Sequence, residues 1–187
     1  MNDFKELLLD NPIIGSVKNK DNLRDVLKTD VKVVFVLFGN LTNIQEITNL
    51  LKQHNKIFFI HVDMIDGLKS DNAGIMFLKK TVNPYGIIST KQHHLKIASK
   101  CDLKTIMRMF IIDSMSLGTC IKTCNEYRPS AIEVLPGISD KIIKKVNSNI
   151  NIPLIAGGLI EDKADVLNAL NSGALAISTT NKEIWNM

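Results

Sequence analysis

Residues 152–166 read IPLIAGGLIEDKADV. An apolar run rich in β-branched residues stops at Gly157-Gly158, and an acid-rich segment with helical spacing follows at once. A strand handed to a helix through so short a turn is half of a repeating βα unit. Outward from this stretch the same alternation runs along the chain. Strand-like segments are PIIGSV from Pro12, KVVFVLFG from Lys32, KIFFIHVD from Lys56 and GIIST from Gly86. They continue with TIMRMFII from Thr105, AIEVLP from Ala131, IPLIAGG from Ile152 and ALAIST from Ala174. Between them lie polar stretches such as TNIQEITNLLKQHN and EDKADVLNALNSG, whose apolar residues recur at the helical three-to-four spacing.

Eight such units predict an α/β protein, a closed (β/α)8 TIM-type barrel. Near-continuous Val, Ile, Leu and Phe match parallel strands buried on both faces. The rival is an open doubly wound sheet, which usually shows a G-x-G-x-x-G turn after its first strand; this sequence has none there. With 187 residues and 20.9 kDa the chain is near the lower limit for a barrel, so loops must be short, and residues 1–187 are expected to form one domain.

Composition narrows the class. Hydrophobic residues make up 45% and charged residues 22%, as in soluble globular proteins. No apolar run approaches the roughly 20 residues of a membrane helix, and MNDFKELLLDNP is too acidic and too short in apolar length for a secretory signal. The expectation is a cytoplasmic protein with no membrane partner. Three cysteines, Cys101, Cys120 and Cys124, give no paired framework. Cys120 and Cys124 share a helical face but lack a second ligand pair, so ordinary thiols and no metal are expected. A net charge of +4 permits a nucleic-acid partner without demanding one.

Barrel sites form at the C-terminal ends of the strands. Gly39-Asn40, Asp63, Ser89-Thr90-Lys91, Asp113-Ser114, Pro136-Gly137, Gly157-Gly158 and Ser178-Thr179-Thr180 fall there. In phosphate-binding barrels the anion often sits between the loops after strands seven and eight. Glycines let backbone N–H groups approach its oxygens, hydroxyls add donors, and a helix N-terminus favours the charge. Gly157, Gly158, Ser178 and Thr179 are therefore the candidate phosphate site, although a double glycine alone is equally a tight turn. Glu133 interrupts an apolar strand and needs a partner, for which Arg108 on the preceding strand is the natural choice. The pair is either structural or presents Glu133 to ligand hydroxyls. His61 and Asp63 share a strand face, and Asp63, at the strand end, is the candidate ligand contact. The segment from Ser89 to Lys104 is basic, with Lys91, Lys96 and Lys100, and Lys141, Lys144 and Lys145 form a second cluster. Neither interleaves aromatics, so these lysines suit phosphate contacts rather than base stacking.

NPIIGSVKN, HVDMIDGL, GIISTK, FIIDS, IEVLPGI, PLIAGGLI and AISTT, in this order from Asn11 to Thr180, together resemble the glycerol-3-phosphate-responsive antiterminator family. Thr180 stands where the family pattern would place serine. The resemblance implies a phosphate-binding barrel, with no cofactor, that regulates a glycerol-uptake operon. Its effector would be glycerol 3-phosphate and its partner a leader mRNA, and a homo-oligomer is compatible with it. It implies ligand roles for Asp63, Glu133, Gly157, Gly158, Ser178 and Thr179. Lys91, Lys96 and Lys100 are the candidate RNA contacts. The competing class is a barrel enzyme, an isomerase or transferase acting on a phosphorylated triose or polyol. It would need acid–base groups converging near the ligand, for which Asp63, Asp113, Glu133, Lys91 and Arg108 are available.

Overall fold

The computed structural model describes residues 3–69 and 71–187; Met1 and Asn2 of the N-terminal stretch, and Ser70, lie outside the described residues. The helix α1 (Asp3–Asp10) precedes eight strands: β1 (Ile13–Val17), β2 (Val33–Val36), β3 (Ile57–His61), β4 (Gly86–Ser89), β5 (Lys104–Phe110), β6 (Ala131–Leu135), β7 (Leu154–Gly157) and β8 (Ala176–Thr179). Between them run α2 (Lys20–Val26), α3 (Ile44–Gln53), α4 (Asn72–Phe77), α5 (Gln92–Ser99), α6 (Ser114–Tyr127), α7 (Asp140–Asn147) and α8 (Lys163–Asn171). All strand pairs are parallel, and β8 returns to β1, closing the expected barrel.

Each strand coincides with one of the apolar runs, though the runs overstate strand length. β2 ends at Val36 while the run continues through Phe38. Side-chain alternation divides the strand residues between two environments. One set packs along the barrel axis, with Ile14, Val33, Phe59, Ile88, Ile106 and Ile155 among its members. The other faces the surrounding helices, as Val34, Ile60 and Ile87 do on one side and Ile132, Ala156 and Ile177 on the other.

The N-terminal mouth is plugged by α1. Its Phe4 and Leu8 are fully buried, and the Phe4 ring lies 5.4 Å from that of Phe59. The acidic residues that start helices act as caps. Asp113 and Asp162 each close a capping box with the residue three positions on, which fixes where α6 and α8 leave the β5 and β7 ends. The polar groups buried on the axis, Ser16, His61, Arg108, Glu133 and Ser178, lie from mid-strand to the C-terminal ends of their strands, Glu133 at the middle of β6.

Candidate functional site

A cavity of about 350 Å3 opens between the segments that follow β7 and β8. Strand register builds its floor. Arg108 pairs with Glu133 across β5 and β6, and Gly157 pairs with Ser178 across β7 and β8. Arg108 Nε donates to Glu133 Oε2 at 2.5 Å and Nη2 donates to Oε1 at 3.2 Å. Ser178 Oγ donates to the same Oε1 at 2.5 Å. Glu133 is fully buried, so its charge depends on these three donors. The result is a bidentate ion pair whose guanidinium, with Ser178, faces the cavity.

The two glycines have different roles. A Cβ on Gly157 would lie 2.6 Å from Ser178 Oγ and 2.7 Å from Glu133 Oε1. Glycine there leaves room for the Ser178–Glu133 hydrogen bond, and Gly157 itself is not on the cavity surface. Gly158 has φ +76°, the left-handed region that favours glycine, and forms cavity wall with Leu159, Ile160 and Glu161. The opposite wall is Thr179, Thr180 and Asn181. The walls are stitched together: Thr179 Oγ1 donates to the Ile160 carbonyl at 2.9 Å, and Asn181 Nδ2 donates to that of Glu161 at 2.6 Å.

The structure therefore brings Glu133, Gly158, Ser178 and Thr179 to one cavity, with Gly157 directly behind. Thr179 differs from the expected donor, because its hydroxyl is already engaged in bracing the wall. Asp63 does not line this cavity. β3 ends at His61, and a 3-10 turn (Val62–Met64) carries Asp63 toward the start of α5. There its carboxylate accepts the Thr90 N–H at 2.8 Å and the Ser89 and Thr90 hydroxyls at 3.0 Å, with His94 Nδ1 also at 3.0 Å. Burial pushes the Asp63 carboxyl up, but these donors outweigh it and hold it below the ordinary carboxylate range. Asp63 thus anchors the turn that carries Lys91.

His61 Nδ1 is buried and has no hydrogen-bond partner among the described residues. Burial, then the charge of Arg108, pushes its imidazole down to about 4, against the pull of Asp63. It is neutral at pH 7. Lys91, Lys96 and Lys100 are all exposed, with Lys96 and Lys100 four residues apart along α5 and Lys91 at its other end. Lys91 occupies the N-cap position of α5 without a side-chain capping bond, Lys100 occupies its C-cap position, and Lys96 Nζ stands 5.9 Å from the Tyr127 ring centroid. Ser16, Leu37 and Asn181 are cavity residues that strand-end reading passed over. Ser16 had a signal, being polar and two positions beyond the axis-facing Ile14 on β1. Cys120 and Cys124 are buried free thiols on α6. Among the described residues no group of three or more His, Cys, Asp or Glu side chains is placed to hold a metal, and no helix is long and apolar enough to cross a membrane.

Residues 13–185 match the family model described as glycerol-3-phosphate responsive antiterminator, and the chain belongs to that family. A crystal structure of the glycerol uptake operon antiterminator regulatory protein of Listeria monocytogenes superposes with a TM-score of 0.90 at 31% identity, covering 94% of this chain and 95% of that one. A glycerol uptake operon antiterminator-related protein from Thermotoga maritima gives 0.84 at 28% identity, covering 95% and 99%. The uncharacterized Escherichia coli protein YgcP is 39% identical over 181 residues, 97% of this chain and 95% of its own length. Aldolase barrels also superpose, at TM-scores of 0.69–0.72 and 8–11% identity, which marks a shared fold alone.

Proposed function

We infer that this member of the glycerol-3-phosphate responsive antiterminator family binds glycerol 3-phosphate in the cavity above Arg108 and Glu133. It answers by acting on the leader mRNA of a glycerol-uptake operon, in the cytoplasm where that RNA is made. The observation that carries the reading is the joining of two unlike surfaces in one small cavity. Its floor is a buried, hydrogen-bonded carboxylate with a hydroxyl and a guanidinium. Its wall is a left-handed glycine turn facing Thr180 and Asn181. A polyol monophosphate has the matching halves. Its hydroxyls are read by the Glu133, Ser178 and Arg108 floor. Its phosphate lies against the wall, where backbone N–H groups come close because Gly158 carries no side chain.

The enzyme alternative has less support from these residues. Glu133 already accepts three hydrogen bonds, Asp63 is committed to the α5 turn, and no lysine lines the cavity among the described residues. Among the described residues the one cavity carboxylate outside the floor pair is the exposed Glu161 on the wall, and an amine nucleophile for a phosphorylated triose is not in place.

The test is a melting curve. Glycerol 3-phosphate at a hundredfold excess over its dissociation constant is expected to raise stability by about 2.7 kcal/mol. Glycerol and inorganic phosphate, each offering one half, are expected to shift it far less. A midpoint unmoved by millimolar glycerol 3-phosphate would contradict the reading.

A further inference from the structure

We propose that the N-terminal face of the barrel around β3, β4 and β5, at the end away from the effector cavity, is the surface that receives RNA phosphates. The proposal rests on the RNA-binding reading above and assigns it a place. A groove of about 430 Å3 opens on this face, with Lys52, Lys56 and Lys104 around Tyr85 and Asn83. Asp102 is the single acid among its lining residues.

Further lysines border it. Lys100 occupies the C-cap position of α5, two residues before Asp102. Lys79 and Lys80 lie in the π-helical turn Leu78–Val82, which leads into Asn83 and Pro84 of the groove. Two of the cations are fixed in place. Lys52 Nζ donates to the Val82 carbonyl at 2.5 Å, and Lys56 Nζ donates to those of Thr29 and Val31 at 2.6 and 2.7 Å. Lys80, Lys100 and Lys104 have no side-chain hydrogen bond or ion pair among the described residues. Asp102 is the acid beside them, and their ammonium groups are not tied up in a direct contact.

Helix dipoles alone do not account for the cluster. Cations at helix C-termini are favourable, and Lys52, Lys79 and Lys80 stand at such ends, yet the last turns of α6 and α8 carry none. Lys56 and Lys104, moreover, sit before and at the start of strands rather than on helices. On the groove side the acids are Asp102 and Asp30, the latter close enough to favour the charged form of Lys56; the opposite, C-terminal face carries more, with Asp66, Asp113, Asp140, Glu161 and Asp162 standing among its lysines. A polyanion is therefore attracted to the groove end and met by carboxylates at the cavity end. Lys104 and Arg108 belong to one strand, four residues or roughly 13 Å apart. A shift of β5 on effector binding would thus be felt in the groove.

The test titrates labelled single-stranded RNA bearing a glycerol-uptake leader at several salt concentrations. It compares the wild type, the triple variant Lys80→Gln, Lys100→Gln, Lys104→Gln, and the control Lys91→Ala, Lys96→Ala. Three lost phosphate contacts are expected to lower the log–log salt slope by about 2. Near 0.15 M salt that corresponds to a loss of about 50-fold in affinity. The control is expected to keep the wild-type slope. Melting temperature and glycerol 3-phosphate binding, unchanged in the triple variant, establish that it is folded, and single Lys104→Glu repeats the test with one substitution. Wild-type slope and affinity in the folded triple variant, or a slope lost only in the control, would overturn the placement while leaving RNA binding intact. A wild type that binds no leader RNA would overturn both.

Discussion

Arg108→Ala is expected to remove about 3–5 kcal/mol of folding stability, a large share of what a domain has. The truncation leaves Glu133 fully buried with Ser178 as its remaining side-chain donor. An isolated carboxylate in such a place must stay charged without a partner or take up a proton, and either is costly. Glu133→Gln is expected to cost less, because the amide oxygen still accepts from Ser178. The double variant Arg108→Met, Glu133→Leu is expected to recover most of the stability, since buried ion pairs are often replaceable by apolar residues of similar volume. Denaturant midpoints without effector measure these three. Effector binding then separates the two roles of the pair. If Glu133 and Arg108 read glycerol hydroxyls, the apolar double variant is stable and does not bind. A double variant that binds glycerol 3-phosphate as the wild type does would make the pair a barrel brace only.

The largest effect on the effector is expected from Gly158→Asp, a loss of about a hundredfold in glycerol 3-phosphate affinity. Two causes combine, and they can be told apart. At φ +76° any side chain is strained, and a Cβ would sit 3.1 Å from Leu135 Cδ2. The carboxylate also adds negative charge to the wall assigned to the phosphate, a like-charge juxtaposition costing several kcal/mol. Gly158→Asn has nearly the same shape, tolerates left-handed backbone and carries no charge. The difference between the Asp and Asn variants thus reads charge alone, and calorimetric titration of both supplies it. Equal affinities for the two would move the phosphate away from Gly158.

The barrel was legible because its strands are buried on both faces, which writes each one as a short apolar run. The Glu133–Arg108 pair was legible for a related reason: a charge in such a run must be answered from a neighbouring strand, and register places Arg108 directly alongside. What failed was direction. Adjacent strand residues point to opposite faces, so Ser178 and Thr179, both expected as phosphate donors, could not both turn their hydroxyls to the cavity floor. Thr179 instead braces Ile160. The same alternation divides Gly157, which makes room behind the floor, from Gly158, which forms wall. Asp63 was assigned by its position at a strand end, but a three-residue turn, invisible in apolar pattern, swings it to α5. Lys91 and Lys100 looked like one cluster in sequence. They flank the eight-residue α5, nine positions apart at a rise of about 1.5 Å each, which sets them roughly 13 Å apart. The plug formed by α1 gave no signal, since FKELLL is a helix-period fragment whose barrel mouth cannot be read from its residues.

The most direct test of the whole account is the affinity for leader RNA with and without saturating glycerol 3-phosphate. If both ligands favour one state of the protein, linkage requires each to tighten the other by the same factor, and coupling of this kind is usually 5- to 150-fold. The account predicts tighter RNA binding with glycerol 3-phosphate and, reciprocally, tighter glycerol 3-phosphate binding with RNA. At the effector concentration that just saturates the wild type, the gain should largely disappear in Gly158→Asp and persist in Gly158→Asn. Equal RNA affinity with and without glycerol 3-phosphate, in a protein shown to bind both, would contradict it.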